Sequence, residues 1–361
     1  AKYTDIVKNV VSVYANAYNE WSVSRKQAEI CYNFLLNKQW NEEEIKHFLK
    51  QGMPPIVYNL ILPRIFNLLG TEQLNRSSVQ IRPYYESQTD LAHILSGLFN
   101  NVWESKNGEE ELRRVFIDGL IMPIPGCFQI KVEPDETGFL DYSFNALNPY
   151  SVLFDPNTTR SDLKDCQYIL QDNWLRLDQL IETYGDREEF KLEGYSDKWW
   201  EKLSDTVGDT VKELFGLTGA QDNFYNKKQN LYKVIEMQTR TKEKREMFID
   251  NLTQEFVLYP PKTIEDAGAM NLTYISDTEI KKIHITTVCP YFNIVLVDEN
   301  NWLDTDKYDI IPYFSMDFGN RKCQNSSLVM AMIDPQKNLN KREIQKTAYI
   351  DRAMISPIMF S

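Results

Sequence analysis

The chain has 361 residues and a formal charge of −12, too long for one hydrophobic core, which stops growing at roughly 250–300 residues, so two or three lobes are expected. Its apolar and aromatic content argues against disorder, and its acidity argues against a protein that coats nucleic acid through a broad basic face, although not against one past which DNA slides. The odd set of cysteines at 31, 127, 166, 289 and 323 has no CxxC spacing, which disfavours a disulfide framework or structural zinc and suits a reducing cytoplasm; no apolar run reaches the roughly 18 residues of a membrane span.

Residues 1–50 read as helical, because Gln27, Ala28, Cys31, Phe34 and Leu35 recur at steps of three and four, with an end near Lys38-Gln39-Trp40. A second helix is expected from Asn41-Glu42-Glu43-Glu44, acidic where the helix dipole prefers it, and Gly52-Met53-Pro54-Pro55 breaks it. A third helix runs from about Leu60 to Arg76, a short extended piece covers Val79–Pro83, and long helices return over 88–120. The pattern then changes. Cys127–Val132 and Phe139–Asn145 read as a hairpin joined by Pro134-Asp135-Glu136-Thr137-Gly138. Further strands are expected at Ser151–Phe154, Gln167–Gln171, Leu231–Gln238, Glu246–Asp250, Lys282–Cys289 and Ile294–Val297. Between them Trp200, Leu203, Val207, Val211 and Leu214 form a helical stripe, and Trp199-Trp200 reads as a packing face, with a partner-binding face as the alternative. A last helix is expected from Gln336 to about Ala353, capped by Asp334 with Pro335 in its first turn. The fold class is α+β: helices first, a mixed β-sheet region, then one long helix. The start, Ala1–Asp5, does not read as a signal peptide. The apolar end, Pro357–Ser361, suggests that the chain continues.

The motifs that carry chemistry are missing. There is no G-x-x-x-x-G-K-[ST], no G-x-G-x-x-G and no G-x-S-x-G. His47, His93 and His284 have no partner at metal-ligand spacing, and packing or surface roles are expected for them. The runs Glu42–Glu44 and Glu109–Glu111 read as solvated helix faces. Asp155, Asp162 and Asp165 are closer together, but Asp155-Pro156-Asn157 reads as a turn rather than a cation site. No catalytic residue, metal or cofactor is expected.

Two stretches resemble the portal proteins of short-tailed phages. The first is Lys38-Gln39-Trp40, then Gly52-Met53-Pro54-Pro55-Ile56-Val57-Tyr58-Asn59, Pro63, Gly70-Thr71-Glu72 and Asn75-Arg76. The second is Ile310-Ile311-Pro312, then Ser327-Leu328-Val329, Asp334-Pro335-Gln336 and Asn340-Lys341-Arg342. A third landmark lies between them, Asn148-Pro149 with Phe154-Asp155-Pro156 and Asp165. Each alone is weak; in order across nearly the whole chain they are strong. Crass-like phages are one candidate source.

The resemblance implies a structural head-to-tail connector without enzymatic activity. Its domains would be a wing over 1–326 (helices over 1–120, a mixed sheet with a helical insertion over 121–326), a first stem helix over 327–352 and the start of the clip over 353–361, the remaining parts being absent. It implies a twelve-subunit ring at one capsid vertex of the virion, assembled in the host cytoplasm, through which double-stranded DNA is packaged and ejected. The implied partners are the terminase large subunit, a head–tail adaptor and the major capsid protein, with no membrane and no cofactor. On the last helix Lys337, Lys341 and Arg352 share a face at about 100° per residue, which either meets solvent or an acidic neighbour or is a candidate DNA-facing surface. Leu339, Ile350 and Met354 lie roughly opposite, as candidates for subunit packing. The competing readings are another structural ring protein, such as a tail adaptor, and a metal-dependent nucleic-acid enzyme built on scattered carboxylates.

Overall fold

A computed structural model describes residues 2–75, 79–83, 89–134, 140–185, 224–250, 256–257, 272–301, 306–316 and 326–355. Among them the helices are α1 (Lys2–Leu35), α2 (Glu42–Lys50), α3 (Ile61–Leu74), α4 (Thr89–Ser105), α5 (Gly108–Ile121), α6 (Leu177–Tyr184) and α7 (Leu328–Ile355). The strands are β1 (Gly126–Pro134), β2 (Leu140–Leu147), β3 (Val152–Phe154), β4 (Tyr168–Leu175), β5 (Tyr225–Asn226), β6 (Leu231–Asp250), β7 (Phe256–Val257), β8 (Leu272–Cys289), β9 (Ile294–Asn300) and β10 (Ile310–Tyr313). The expected stripe from Trp200 to Leu214, the Trp199-Trp200 pair, Cys323 and the hairpin turn at 135–138 lie outside the described residues. The chain divides into two compact units.

The unit built from residues 18–152, 156–165 and 309–361 holds a three-stranded sheet of order β10-β1-β2. The hairpin expected from the sequence pairs antiparallel, with Ile130 opposite Phe144. Pro312, which has no N–H to give, sits on β10 at the sheet edge, where that lack costs least. Helix α5 packs on this sheet: Val115, Phe128 and Phe144 form a buried cluster, extended by Val102, Trp103, Ile130, Ala146 and Tyr313. The approach is close enough that a side chain at Gly126 would run into the Val115 carbonyl. Trp103 meets Phe144 at 5.0 Å between centroids, and rings at such separations add about 0.5–1.5 kcal/mol beyond the area they bury. The second helix forms as read: Asn41 and Glu44 make a capping box at its start.

The other unit takes residues 1–17, 153–155 and 166–308. Its sheet follows the order β3-β4-β6-β8-β9, with β5 and β7 each pairing β6; the ladders β4–β6, β6–β8 and β8–β9 are antiparallel. Several features differ from the sequence expectation, and β8 begins at Leu272 instead of Lys282. The strands expected at Leu231–Gln238 and Glu246–Asp250 are one continuous strand, β6, 20 residues long. Their polar junction, Thr239–Arg245, hides the strand because neither face alternates with apolar residues; the ladder to β8 holds it, with Thr239 opposite His284 and Arg245 opposite Thr278. Helix α6 was not expected; its amphipathic turns bury Leu180.

Within this unit the first half of α1 buries Val7, Val10, Val11, Tyr14 and Ala17, an apolar stripe at steps of three and four. One polar group interrupts it with a partner in place. The Tyr14 hydroxyl donates to Asp172 on β4 at 2.6 Å, and Lys233 on β6 donates to the same carboxylate at 2.9 Å and to the Tyr14 oxygen at 3.0 Å. All three residues are less than a tenth exposed. A buried ion pair adds little net stability when whole, but losing one charge strands the other. Asp172→Ala should therefore destabilise the protein by about 3–5 kcal/mol, while Asp172→Leu with Lys233→Met recovers most of the loss. Urea unfolding followed by circular dichroism measures both; equal midpoints for wild type and Asp172→Ala would refute the assignment.

Candidate functional site

The groups able to do chemistry are dispersed. His47 is hydrogen-bonded to Gln51, His93 is exposed on α4, and the His284 ring lies between Asp298 at 2.9 Å and Asn300 at 2.8 Å. Among the described residues no group of three or more His, Cys, Asp or Glu side chains is placed to hold a metal. Asp165 is occupied by its own turn, accepting from the Thr159 N–H and hydroxyl, each at 2.7 Å. Asp162 is held by Arg160 at 2.6 Å, which keeps its carboxyl below the usual range. The other large pKa displacements come first from burial, as for Asp118, pushed up to about 6, and Cys289, pushed up to about 12. Displacement by burial, without a specific charged partner in a cleft, is what packing produces. Cys31, Cys127, Cys166 and Cys289 are buried thiols. No described helix is long and apolar enough to cross a membrane.

One constellation does bring the sequence landmarks together. Helix α7 starts earlier than the Asp334-Pro335 pair indicates: Ser327 caps it, its hydroxyl oxygen accepting from the Met330 N–H at 3.1 Å, and Pro335 lies inside the helix instead of in its first turn. The Asp-Pro pair misleads because it reads as a strong start signal, whereas the real cap precedes it by two turns. The buried face of α7 carries Val329, Gln336, Asn340 and Ile344, residues separated by seven, four and four positions and therefore stacked on one side. Two of the four are amides, and each is satisfied. Asn340 donates to the Gln39 side-chain oxygen and accepts from the Tyr58 N–H at 3.0 Å and from Gln336 at 3.0 Å. Gln336 also donates to the Tyr58 carbonyl and accepts from the Leu60 N–H at 3.2 Å. Gln39 in turn donates to the Phe34 carbonyl at 3.2 Å.

The flanking segment is tied in the same way. Trp40 donates its indole N–H to the Ile56 carbonyl at 3.1 Å. Asn59 donates to the Leu35 carbonyl at 2.8 Å, while its side-chain oxygen accepts from the N–H groups of Ile61 and Leu62 and so starts α3. The irregular stretch from Met53 to Leu60 is thus fixed by side chains that belong to the two resembling stretches: Gln39, Trp40, Asn59, Gln336 and Asn340.

The residues singled out on the last helix fall to either side of this seam. Lys337 is engaged within the chain, 3.3 Å from Glu44 and 5.9 Å above the Trp40 ring, so the run of charges along α7 overstates its free cations. Lys341 and Arg352 are exposed. Leu339 is half-buried and lines a cavity of about 220 Å³ with Leu60, Ile61, Arg64 and Met332; Ile350 is exposed. Met354 lies in α7, with its side chain outside the described residues. Sequence reasoning set the helix face by charge and apolarity and so missed Gln336 and Asn340 as its buried positions. The available signal was that each landmark carries an amide.

An orphaned buried group costs about 1–3 kcal/mol. Asn340→Ala removes the acceptor of the Tyr58 N–H and the donor to Gln39 at once, and is expected to cost about 2–5 kcal/mol. Asn340→Asp, which keeps the acceptor but sets a carboxylate against the Gln39 oxygen, should be no better. Thermal unfolding of the two variants decides; an unchanged midpoint for both would mean that the seam is not holding the helix.

Comparison with known proteins agrees with this convergence. A family model for phage P22-like portal proteins matches residues 12–361. No curated protein matches the chain. With nearly its whole length covered, and with both resembling stretches meeting in one hydrogen-bonded seam, the chain belongs to the P22-like phage portal protein family, structural components of the virion.

Proposed function

We propose that the chain is the repeating subunit of a twelve-membered portal ring at one capsid vertex, surrounding the channel through which double-stranded DNA is packaged and later ejected. In this reading the terminase large subunit docks on the ring during packaging, the head–tail adaptor replaces it afterwards, and the major capsid protein surrounds the ring. Residues 1–326 serve as wing, 327–352 as first stem helix and 353–361 as the approach to the clip, with assembly in the host cytoplasm. The observation that carries the reading is the family match across residues 12–361. Energy for packaging comes from the separate motor, since the sequence has no phosphate-binding loop to seat a γ-phosphate and its metal.

The electrostatics suit a channel that lets DNA move. A charge of −12 opposes adhesion to phosphates, and Lys341 and Arg352, with Lys337 beside them, supply local cations on one helix. Screening confines such cations to DNA within about 8–10 Å at physiological salt, so they act as brief contacts and not as a clamp.

The purified full chain should form closed rings with a central opening in negative-stain electron microscopy. Monomers and dimers alone, at all concentrations tried, would contradict the reading. Lys341→Ala with Arg352→Ala should leave those rings intact and change packaging rate or DNA retention in virions; virions that fill and hold DNA as before would remove the DNA-facing role from this helix.

A further inference from the structure

Helix α4 is apolar around more of its circumference than its surroundings cover. One face is packed: Ala92 is buried, Phe99 stacks on Trp103 at 5.9 Å, and Trp103 reaches Phe128 and Phe144 in the core of the three-stranded sheet. At about 100° per residue, Leu91, Ile94, Leu95 and Leu98 form a second stripe beside it. These four are 55%, 66%, 39% and 57% exposed. The charged residues of the helix, Asp90 and Glu104, fall on the remaining face with His93 and Asn100, so nothing charged breaks the stripe. A helix resting on a core by one face ordinarily turns charge, not a second row of leucines, to water. Contiguous apolar surface of more than a few hundred Å² on a soluble protein marks a contact site.

We infer that this stripe is the apolar centre of one of the two faces through which neighbouring copies of this chain meet in the ring. The inference rests on the portal reading and deepens it. A ring of identical subunits joins unlike faces, head to tail, so every copy must present a surface to its neighbour. Copies that each carry −12 repel wherever acidic surfaces oppose, and they meet at lowest cost where charge is absent, as at interface centres generally. Four half-exposed aliphatic side chains make the centre of such a face; surrounding polar surface completes the roughly 800 Å² per partner of a stable contact. Because the contact is head to tail, the stripe meets a different patch of the next copy and not its own α4.

The test uses the full chain carrying a photoreactive benzoylphenylalanine in place of Leu98, irradiated after assembly. A covalent ladder of two, three and more copies, with the cross-linked peptide mapping outside α4, is the expected result. Cross-links from α4 to α4 that stop at dimers, or assembled rings that yield no chain-to-chain cross-link, would overturn the inference, as would cross-linking only to the capsid protein. In parallel, Leu95→Glu with Leu98→Glu should raise the concentration at half-assembly about tenfold for each buried leucine lost, with the circular dichroism spectrum unchanged. Rings forming equally well from this variant and wild type sink the inference alone. Wild-type chains that never form rings sink the portal reading itself.

Discussion

A side-chain amide can be buried on a helix only where something else supplies all of its hydrogen bonds. On α7 that supply comes from one short stretch of backbone around Tyr58 and from Gln39. An apolar seam would tolerate sliding, since one leucine row packs nearly as well as the next. Amides do not: moving α7 by one turn, about 5.4 Å, would set Asn340 where the longer Gln336 stood and leave the Tyr58 and Leu60 amides facing the wrong atoms. The seam therefore specifies a single register for the longest helix at this end of the chain. Buried polar groups are best attested in that role of fixing register.

The same requirement explains why the residues around the seam come in the order they do. The stretch from Met53 to Leu60 has no ladder or helix of its own, and beyond the Met53 and Ile56 N–H groups, which reach backbone carbonyls, its polar groups depend on side chains. Gln336 and Asn340 take three of its polar groups, Trp40 takes the Ile56 carbonyl, and Asn59 ties α1 to the start of α3. Gln39, Trp40, Asn59, Gln336 and Asn340, drawn from two landmarks of the family resemblance, thus answer hydrogen-bonding needs that those same stretches create. That is a physical reason for weak motifs, spread over some 300 positions, to occur together.

Much of the architecture could be read along the chain because it follows local rules. The start of α2 after Asn41, the pairing of β1 with β2 and the early helices all appear as the periodicity and the acidic first turn imply. What escaped depends on distant partners. The middle of β6 is polar on both faces and is a strand only because β8 pairs with it. The start of α7 is set by Ser327, a cap hidden behind a more conspicuous Asp-Pro. Lys337 finds Glu44, a pairing no charge count along one helix can show. Gln336 and Asn340 are buried against partners that lie 276 and 282 positions away, which the pattern along one helix does not show.

The two kinds of surface on the unit that holds the three-stranded sheet answer different demands. The seam joins parts of one chain, which are already tethered, so loop-closure entropy is modest and the interaction can be devoted to choosing one geometry. Separate copies must first be brought together, and their association has to overcome lost translational and rotational freedom before any contact is useful. Apolar burial is the interaction suited to that second task, being non-directional and proportional to area. An uncharged stripe of Leu91, Ile94, Leu95 and Leu98 on a helix whose other face is anchored by Trp103 offers that area on a rigid support. In a chain as acidic as this one, attraction between copies cannot come from net charge, so it has to come from surfaces of this kind.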